Sequence, residues 1–379
     1  MHKNDSALGI YIHIPFCIRK CNYCDFCSFP HSGSDVMERY VYELCKRIKK
    51  ASLQTHERLV DTVYFGGGTP TLLPPACFER LMQVLSDSFR IDGNAEITCE
   101  CNPATIDGEG LAFLRELGIN RLSIGLQSAN NEELKLLGRL HSFEDFKRTF
   151  ADARQAGFDN ISADLMYGIP KQTSESFRST LTSLASLSPE HISAYGLKIE
   201  DGTYFAKVAH TLPLPDEDEE YGMYLDTCEI LGNLGYNRYE ISNFAKKGFE
   251  SRHNLKYWNS EEYLGFGVAA HSFFGGERFG NSRHITAFLN GEDITEERHA
   301  LSESEELSEY VMLRLRLAEG LDRESFRLRF GKDFDTEFPQ TKAYVQNGFM
   351  KNNGSSIVFT SKGFFVSNTI LSDMLDFGE

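Results

Sequence analysis

Six short runs rich in β-branched and aromatic residues recur along the first half of the chain, at residues 9–14, 61–65, 96–101, 121–125, 161–166 and 191–196. Between them, apolar residues return every three or four positions and predict amphipathic helices over 36–49, 77–89, 143–156 and 174–187. Six runs between residues 9 and 196 leave about 31 residues per repeat, close to the ~30 of one strand–helix unit. That period predicts a parallel α/β array. A closed eight-fold barrel usually takes ~250 residues, so the fold class expected is α/β, an open partial (β/α)6 barrel.

The pattern then changes. Gly202, Pro213 and Pro215 break it, and an acidic run, Asp216 to Glu220, follows. Residues 201–220 read as a linker between a barrel domain (1–200) and a smaller C-terminal α+β domain (221–379). The acidic run suits the positive end of a helix starting there. Beyond it the sequence predicts a helix over 219–234, a strand over 236–242 and a glycine- and aromatic-rich stretch over 252–280. Helices at 303–316 and 323–330 precede Asn353-Gly354, a turn ahead of the apolar run 356–360, and a last apolar segment at 371–375. Helices followed by a small hairpin form a winged-helix-like tail.

Composition narrows the function. At 379 residues the chain exceeds one comfortable core, and 41% hydrophobic with 25% charged residues is ordinary for a globular protein. A net charge of −16 argues against nucleic acid as a main partner, winged tail notwithstanding. No apolar run approaches the ~20 residues of a membrane span. Lys3, Asp5 and the short run 10–16, interrupted by His13, do not make a signal peptide, so a cytoplasmic protein is expected.

Nine cysteines, an odd number, argue against a disulfide scaffold. Three of them, Cys17, Cys21 and Cys24, have the spacing C-x3-C-x2-C, which random placement gives roughly 0.005 times per chain at this cysteine content. The motif directly follows the first predicted strand. Soft thiolates on one short loop select zinc, copper(I) or iron–sulfur. With Cys27 as a fourth ligand the loop would close a zinc site. With three ligands only, it would hold a [4Fe–4S] cluster and leave one iron open to an exogenous chelator.

Barrel enzymes place their chemistry on the loops after the strand C-termini. Here Gly66-Gly67-Gly68-Thr69-Pro70 follows the second strand, and Glu100, Gln127 and Asp164 end the third, fourth and fifth. Bare glycines allow close approach of backbone to ligand. The carboxylates can accept from ribose hydroxyls, or simply form rim ion pairs or caps. Arg139 can fork onto a carboxylate, and Tyr11 shares a strand face with His13. Cys99 and Cys101 alternate with Glu100 and read as packing; Cys45, Cys77 and Cys228 read as small buried hydrophobes. His253, in His253-Asn254-Leu255-Lys256-Tyr257-Trp258, could bind a haem iron, although a packed aromatic corner with a satisfied histidine is the commoner outcome. His271 is in the same position.

The cysteine motif resembles that of radical S-adenosylmethionine (SAM) enzymes. Tyr11 through Phe26, Gly66-Gly67-Gly68-Thr69-Pro70-Thr71, Gly125-Leu126-Gln127-Ser128, Leu137-Gly138-Arg139, Asp164 through Pro170 and the His253–Trp258 motif together resemble the oxygen-independent coproporphyrinogen III oxidase-like family, and within it the haem chaperones. The resemblance implies that Cys17, Cys21 and Cys24 bind the cluster, and that Tyr11, Gly67, Gly68, Thr69, Glu100, Gln127, Arg139 and Asp164 hold SAM. It also implies haem binding, with His253 as one ligand to consider, delivery to apo-haemoproteins of the respiratory chain, peripheral membrane association and a cluster-dependent homodimer. Two departures separate the chain from the oxidase proper. Phe26 stands where that enzyme has a further cysteine, and only sixteen residues precede Cys17, without the oxidase's long N-terminal extension. The alternative implied by the same family is the enzyme itself, converting coproporphyrinogen III to protoporphyrinogen IX.

Overall fold

The computed structural model describes residues 7–30, 32–55 and 58–375; Lys3 and Asp5 lie outside them. The six strands form where the pattern puts them: β1 (Leu8–Ile14), β2 (Leu59–Gly67), β3 (Arg90–Cys101), β4 (Arg121–Gln127), β5 (Ile161–Tyr167) and β6 (His191–Gly196). They pair in chain order, all parallel. Their crossovers carry α1 (Ser34–Ser52), α2 (Pro75–Ser88), α3 (Gly108–Glu116), α4 (Phe143–Gln155) and α5 (Ser174–Ala185). Ser142 opens α4 through a reciprocal capping box with Asp145, which satisfies two otherwise orphaned backbone donors.

Strand parity separates two environments. Leu8, Ile10, Ile12 and Ile14 are fully buried among the helices, with Val63, Phe65, Leu122, Ile124, Ala163 and Leu165 beside them. Each such side chain contributes about 1.5–3 kcal/mol on leaving water. The alternate positions face the lumen and are polar: Tyr11, His13, Thr62, Tyr64, Glu96, Glu100, Arg121, Ser123, Asp164 and His191. The hydrophobic core thus lies outside the barrel, and the chemistry inside it.

The sheet continues past residue 200. The acidic run is the first turn of α6 (Glu217–Asn233), capped by Asp216 and Glu219 in a second capping box. This helix packs on α5 and completes the sixth unit. Within 201–220 lie a short helix, Tyr204–Val208, and a 3-10 turn, Ala209–Thr211. Of the strand predicted over 236–242 only β7 (Asn237–Arg238) forms, and β8 (Asn243–Ala245) begins just after it. Between them Glu240 turns its carboxylate on its own backbone, accepting from Ser242 N at 3.2 Å. β8 pairs antiparallel with β6. At the opposite edge β9 (Tyr263–Phe266) joins β1 in parallel, followed by antiparallel β10 (His271–Phe274), β11 (Glu277–Asn281) and β12 (Thr295–Ala300), giving a twelve-stranded sheet among the described residues.

Residues after 301 build a second core around Leu307, Val311, Leu315, Phe326, Phe334, Ile357 and Phe359. Its antiparallel sheet has the order β13 (Leu321–Asp322), β15 (Ser356–Phe359), β14 (Met350–Asn353). Helices Glu303–Leu315 and Arg323–Phe330 form as the pattern predicts, whereas 371–375 falls at the end of a helix, Ser367–Met374. Among the described residues no helix is long and apolar enough to cross a membrane.

One buried hydroxyl anchors the cysteine loop's entry. Tyr40 on α1 donates to His13 O at 2.9 Å and accepts from Val268 N at 3.1 Å. A Cβ at Gly267 would stand 2.5 Å from that hydroxyl, so only glycine fits there. Tyr40→Phe leaves both backbone groups unpartnered and should lower unfolding free energy by about 1–3 kcal/mol, read by urea denaturation.

Candidate functional site

A cavity of about 290 Å³ opens at the carboxyl ends of the strands. Cys17, Cys21 and Cys24 line it together with Gly67, Gly68, Glu100, Asn102, Ser123, Gly125, Gln127, Arg139 and Asp164. Residues from the first strand loop and from the second to fifth strands thus meet in one cleft. Tyr11 and Thr69 do not line it. Tyr11 lies deeper, its hydroxyl 3.0 Å from His13 Nδ1 and its ring against Tyr64 and His253. Thr69 acts on a ligand instead, donating to Cys17 Sγ at 3.7 Å.

Local backbone explains the loop. Phe16–Cys17 pairs with Phe29–Pro30, pinching residues 17–30 into a closed lobe. Gly68 N donates to Ile14 O at 2.8 Å, and a Cβ on Gly68 would fall 2.6 Å from Phe16 O. Gly67 adopts φ +114°, closed to other residues. The glycines therefore bring β2 against the root of the cysteine loop. Gln127 has φ 71°, a strained conformation for a residue with a side chain, and its amide oxygen accepts from Tyr195 at 2.9 Å. A register shift between Gly125 and Gln127 accompanies it.

Arg139 is the hub. Its guanidinium reaches Cys21 Sγ at 3.6 Å, Asn102 Oδ1 at 2.5 Å and Gly125 O at 2.7 Å. Asn102 in turn donates to Thr69 at 2.7 Å, closing a chain from Cys21 to Cys17. Asn102 directly follows β3, and its bridging role is visible only in the fold. Arg139 Nε has no partner among the described residues, although it is buried. Glu100 accepts from Gly67 N at 2.9 Å and Tyr64 at 3.0 Å, and Asp164 accepts from Ser123 at 3.1 Å. Burial, then the Asp164 charge, pushes the Glu100 carboxyl up to about 7, and burial raises Asp164 as well.

The cysteines fit a cluster better than a single ion. Among the described residues, no three His, Cys, Asp or Glu side chains gather closely enough for one metal ion. Cys27 is buried, does not line the cleft, and offers its carbonyl to His13 Nε2 at 2.9 Å. Three separated thiols around one cavity suit a cube in which each binds a different iron. Desolvation holds Cys17 above its ordinary value and pushes Cys24 up to about 11, so loading must displace protons. Cys99 and Cys101 pack into the core beside Glu100, as their alternation indicates, although Cys101 also reaches the lining of the cleft; Cys45 and Cys77 are buried likewise, whereas Cys228 is only half-buried.

His253 sits at the other end of the barrel. Helix α7 (Arg252–Trp258) plugs the amino ends of the strands, with Glu96 accepting from Arg252 N at 3.2 Å and His253 N at 3.1 Å. The His253 ring is 1% exposed. Both nitrogens are engaged, Nδ1 with Thr62 at 2.8 Å and Nε2 with Tyr257 at 2.7 Å, and burial lowers its pKa to about 3. The ring stacks on Tyr64, 5.3 Å away. The haem role considered for His253 finds no open ligand atom there; the motif serves as a satisfied plug. Lys256 completes it, pairing with Asp61 at 2.8 Å and Glu261 at 3.0 Å. His271 is pressed over Gly280, where a Cβ would meet its ring at 2.9 Å.

Similarity to known proteins agrees with this site. The radical SAM superfamily model matches residues 11–184, and the HemN C-terminal domain model matches residues 301–366. The chain is 34% identical over 376 residues to heme chaperone HemW of Bacillus subtilis, covering 96% of this chain and 98% of that protein. The chain belongs to the HemW family of radical SAM proteins. The Escherichia coli HemW is 33% identical over 369 residues, covering 96% and 97% of the two chains. Among solved structures, coproporphyrinogen III oxidase (HemN) from Escherichia coli superposes with a TM-score of 0.87 at 26% identity, covering 99% of this chain and 91% of that one. Membership of the radical SAM superfamily implies a [4Fe–4S] cluster and SAM.

Glu100 gives the site a pH signature. Its carboxyl is raised from about 4.5 to about 7, so between those values the unfolded chain is ionised while the folded one holds the proton. Stability of the cluster-free protein should therefore fall as pH rises through that window. Glu100→Gln should flatten the fall and add on the order of 1–3 kcal/mol at pH 8, with no gain at pH 4, in denaturation curves at each pH.

Proposed function

We propose that this HemW-family chain is an iron–sulfur haem chaperone of the cytoplasm, which binds haem and delivers it to apo-haemoproteins, including those of the respiratory chain. The observation that carries the reading is the cleft of Cys17, Cys21 and Cys24 beneath Arg139, in a chain similar over nearly its whole length to proteins named heme chaperone HemW. Cys17, Cys21 and Cys24 would hold a [4Fe–4S] cluster, and Gly67, Gly68, Glu100, Gln127, Arg139 and Asp164 would hold SAM, with Tyr11 and Thr69 supporting from behind. When bound, these groups supply one-electron chemistry and a SAM-derived radical.

The chain's own residues prepare the cleft. The unpartnered Arg139 Nε and the guanidinium's charge suit a carboxylate at this point. The raised pKa of Glu100 lets it keep a proton near neutrality and then accept or donate to a hydroxyl as the cleft fills. Gly67 and Gly68 leave backbone exposed to a ligand's amino group, and the Tyr195–Gln127 bond fixes the far wall. Phe26, where the oxidase has a cysteine, favours the chaperone over the decarboxylase.

Anaerobic reconstitution should give about four irons and four sulfides per chain, with SAM changing the cluster spectrum; Cys21→Ala with Cys24→Ala should abolish both. Incubation with coproporphyrinogen III, reductant and SAM should yield no vinyl porphyrin at enzymatic rates. Turnover there would replace the chaperone reading with the oxidase.

A further inference from the structure

The lip of the cluster loop combines three features at the mouth of the cleft, where Arg19, Lys20 and Phe26 belong to its lining and Ile18, Arg283 and His284 stand outside it. Ile18 and Phe26 are 46% and 58% exposed, an apolar shelf on the loop. Arg19, Lys20 and Arg283 are exposed at the same lip. Lys20 donates to Phe26 O at 3.1 Å, and Arg283 donates to Asp25 O at 3.3 Å. None of the three cations is in an ion pair among the described residues, in a chain of net charge −16. Asp25 is the one carboxylate within the loop. The third feature is His284, directly after Arg283, whose own carbonyl lies 4.0 Å from Cys27 Sγ.

His284 differs from most of the other described histidines in its freedom. His13, His191 and His253 have both ring nitrogens bonded to protein, and His141 and His299 have one. His284 stands at the N-cap of α8 (Ile285–Leu289) but makes no capping bond with its side chain. A capping position normally takes serine, threonine, aspartate or asparagine. Its imidazole is exposed, and no ring nitrogen is bonded among the described residues. His210, on the turn Ala209–Thr211, and His271, at the start of β10, share that freedom, but neither adjoins a residue bonded to the cluster loop.

Building on the haem reading, we infer that haem docks on this lip, its ring over Ile18 and Phe26, its carboxylates toward Arg19, Lys20 and Arg283, and its iron ligated by His284. Flat apolar area, two carboxylates and an iron with axial vacancies are what such a surface complements. The site shares Arg19, Lys20 and Phe26 with the lining of the cleft and takes Ile18, Arg283 and His284 from outside it, so haem held there covers the mouth of the cleft. A histidine reached from solvent also allows ligand exchange with an acceptor, which a ring sealed like that of His253 would not.

The test is titration of ferric haem into full-length, cluster-loaded protein under anaerobic conditions, following the Soret band. His284→Ala should weaken binding about tenfold or more and shift the band, with cluster absorbance and SAM affinity unchanged. His284→Gly should recover the band position on adding imidazole. His210→Ala should behave as wild type. Wild-type affinity and spectrum in His284→Ala would overturn the assignment while leaving the chaperone reading intact; failure of the wild type to bind haem would overturn both. Ile18→Ser with Phe26→Ser should weaken haem binding in the same titration. If that pair instead abolished self-association in sedimentation and left haem affinity unchanged, the shelf would belong to a second copy of the chain and the inference would fall.

Discussion

The guanidinium of Arg139 is the tie on which the site depends. It is buried where three segments far apart in sequence arrive together, and it bonds a thiol, a side-chain amide and a strand-end carbonyl at once. A permanent charge removed from water is tolerable only when such partners surround it. The Arg139 charge acts on the Asp164 carboxyl, and burial raises the pKa of both Asp164 and Glu100, which records how dry the place is. The cleft is therefore one electrostatic unit: thiols, guanidinium and carboxylates each set the conditions for the others.

Arg121 extends that unit downward. It is 2% exposed, lies on the lumen face of β4, and its Nε finds no partner among the described residues. Its charge acts on Tyr64, Glu100, Asp164, His191 and His253 from the barrel axis. A barrel lined by leucine and valine would pack more simply. This one maintains a polar interior from the α7 plug to the cysteine rim.

Much of this was legible in the chain. A two-residue alternation inside strands and a three-to-four-residue return between them define the barrel, because each strand buries one face on helices. The C-x3-C-x2-C spacing, the glycines after β2 and the acids at strand ends all reach the cleft, since strand ends converge whatever the loops do. What escaped depends on contacts distant in sequence. Helix α3 begins in Gly108-Glu109-Gly110, which weakens the helical signal, and is secured by the Asp107 cap. The extension of the sheet by residues 237–300 relies on pairing with β1 and β6, which periodicity cannot announce. His253 illustrates the opposite case: its motif marks it, yet Thr62, 191 residues away, takes one of its nitrogens. The place of His284 escaped because nothing in Arg283-His284-Ile285 says that Arg283 reaches the carbonyl of Asp25.

Helix α6 belongs to both cores. Met223 and Leu231 pack into the barrel's cluster, while Tyr224 and the C-terminal residues pack into the other. Its first turn also reaches the exit of β5, where the Glu220 carboxylate comes within 3.0 Å of where a Cβ on Gly168 would stand. The two bodies are thus welded through a shared beam, and the tail cannot swing as a free flap: a protein grasping the tail would be leaning, through that beam, on the rim of the barrel.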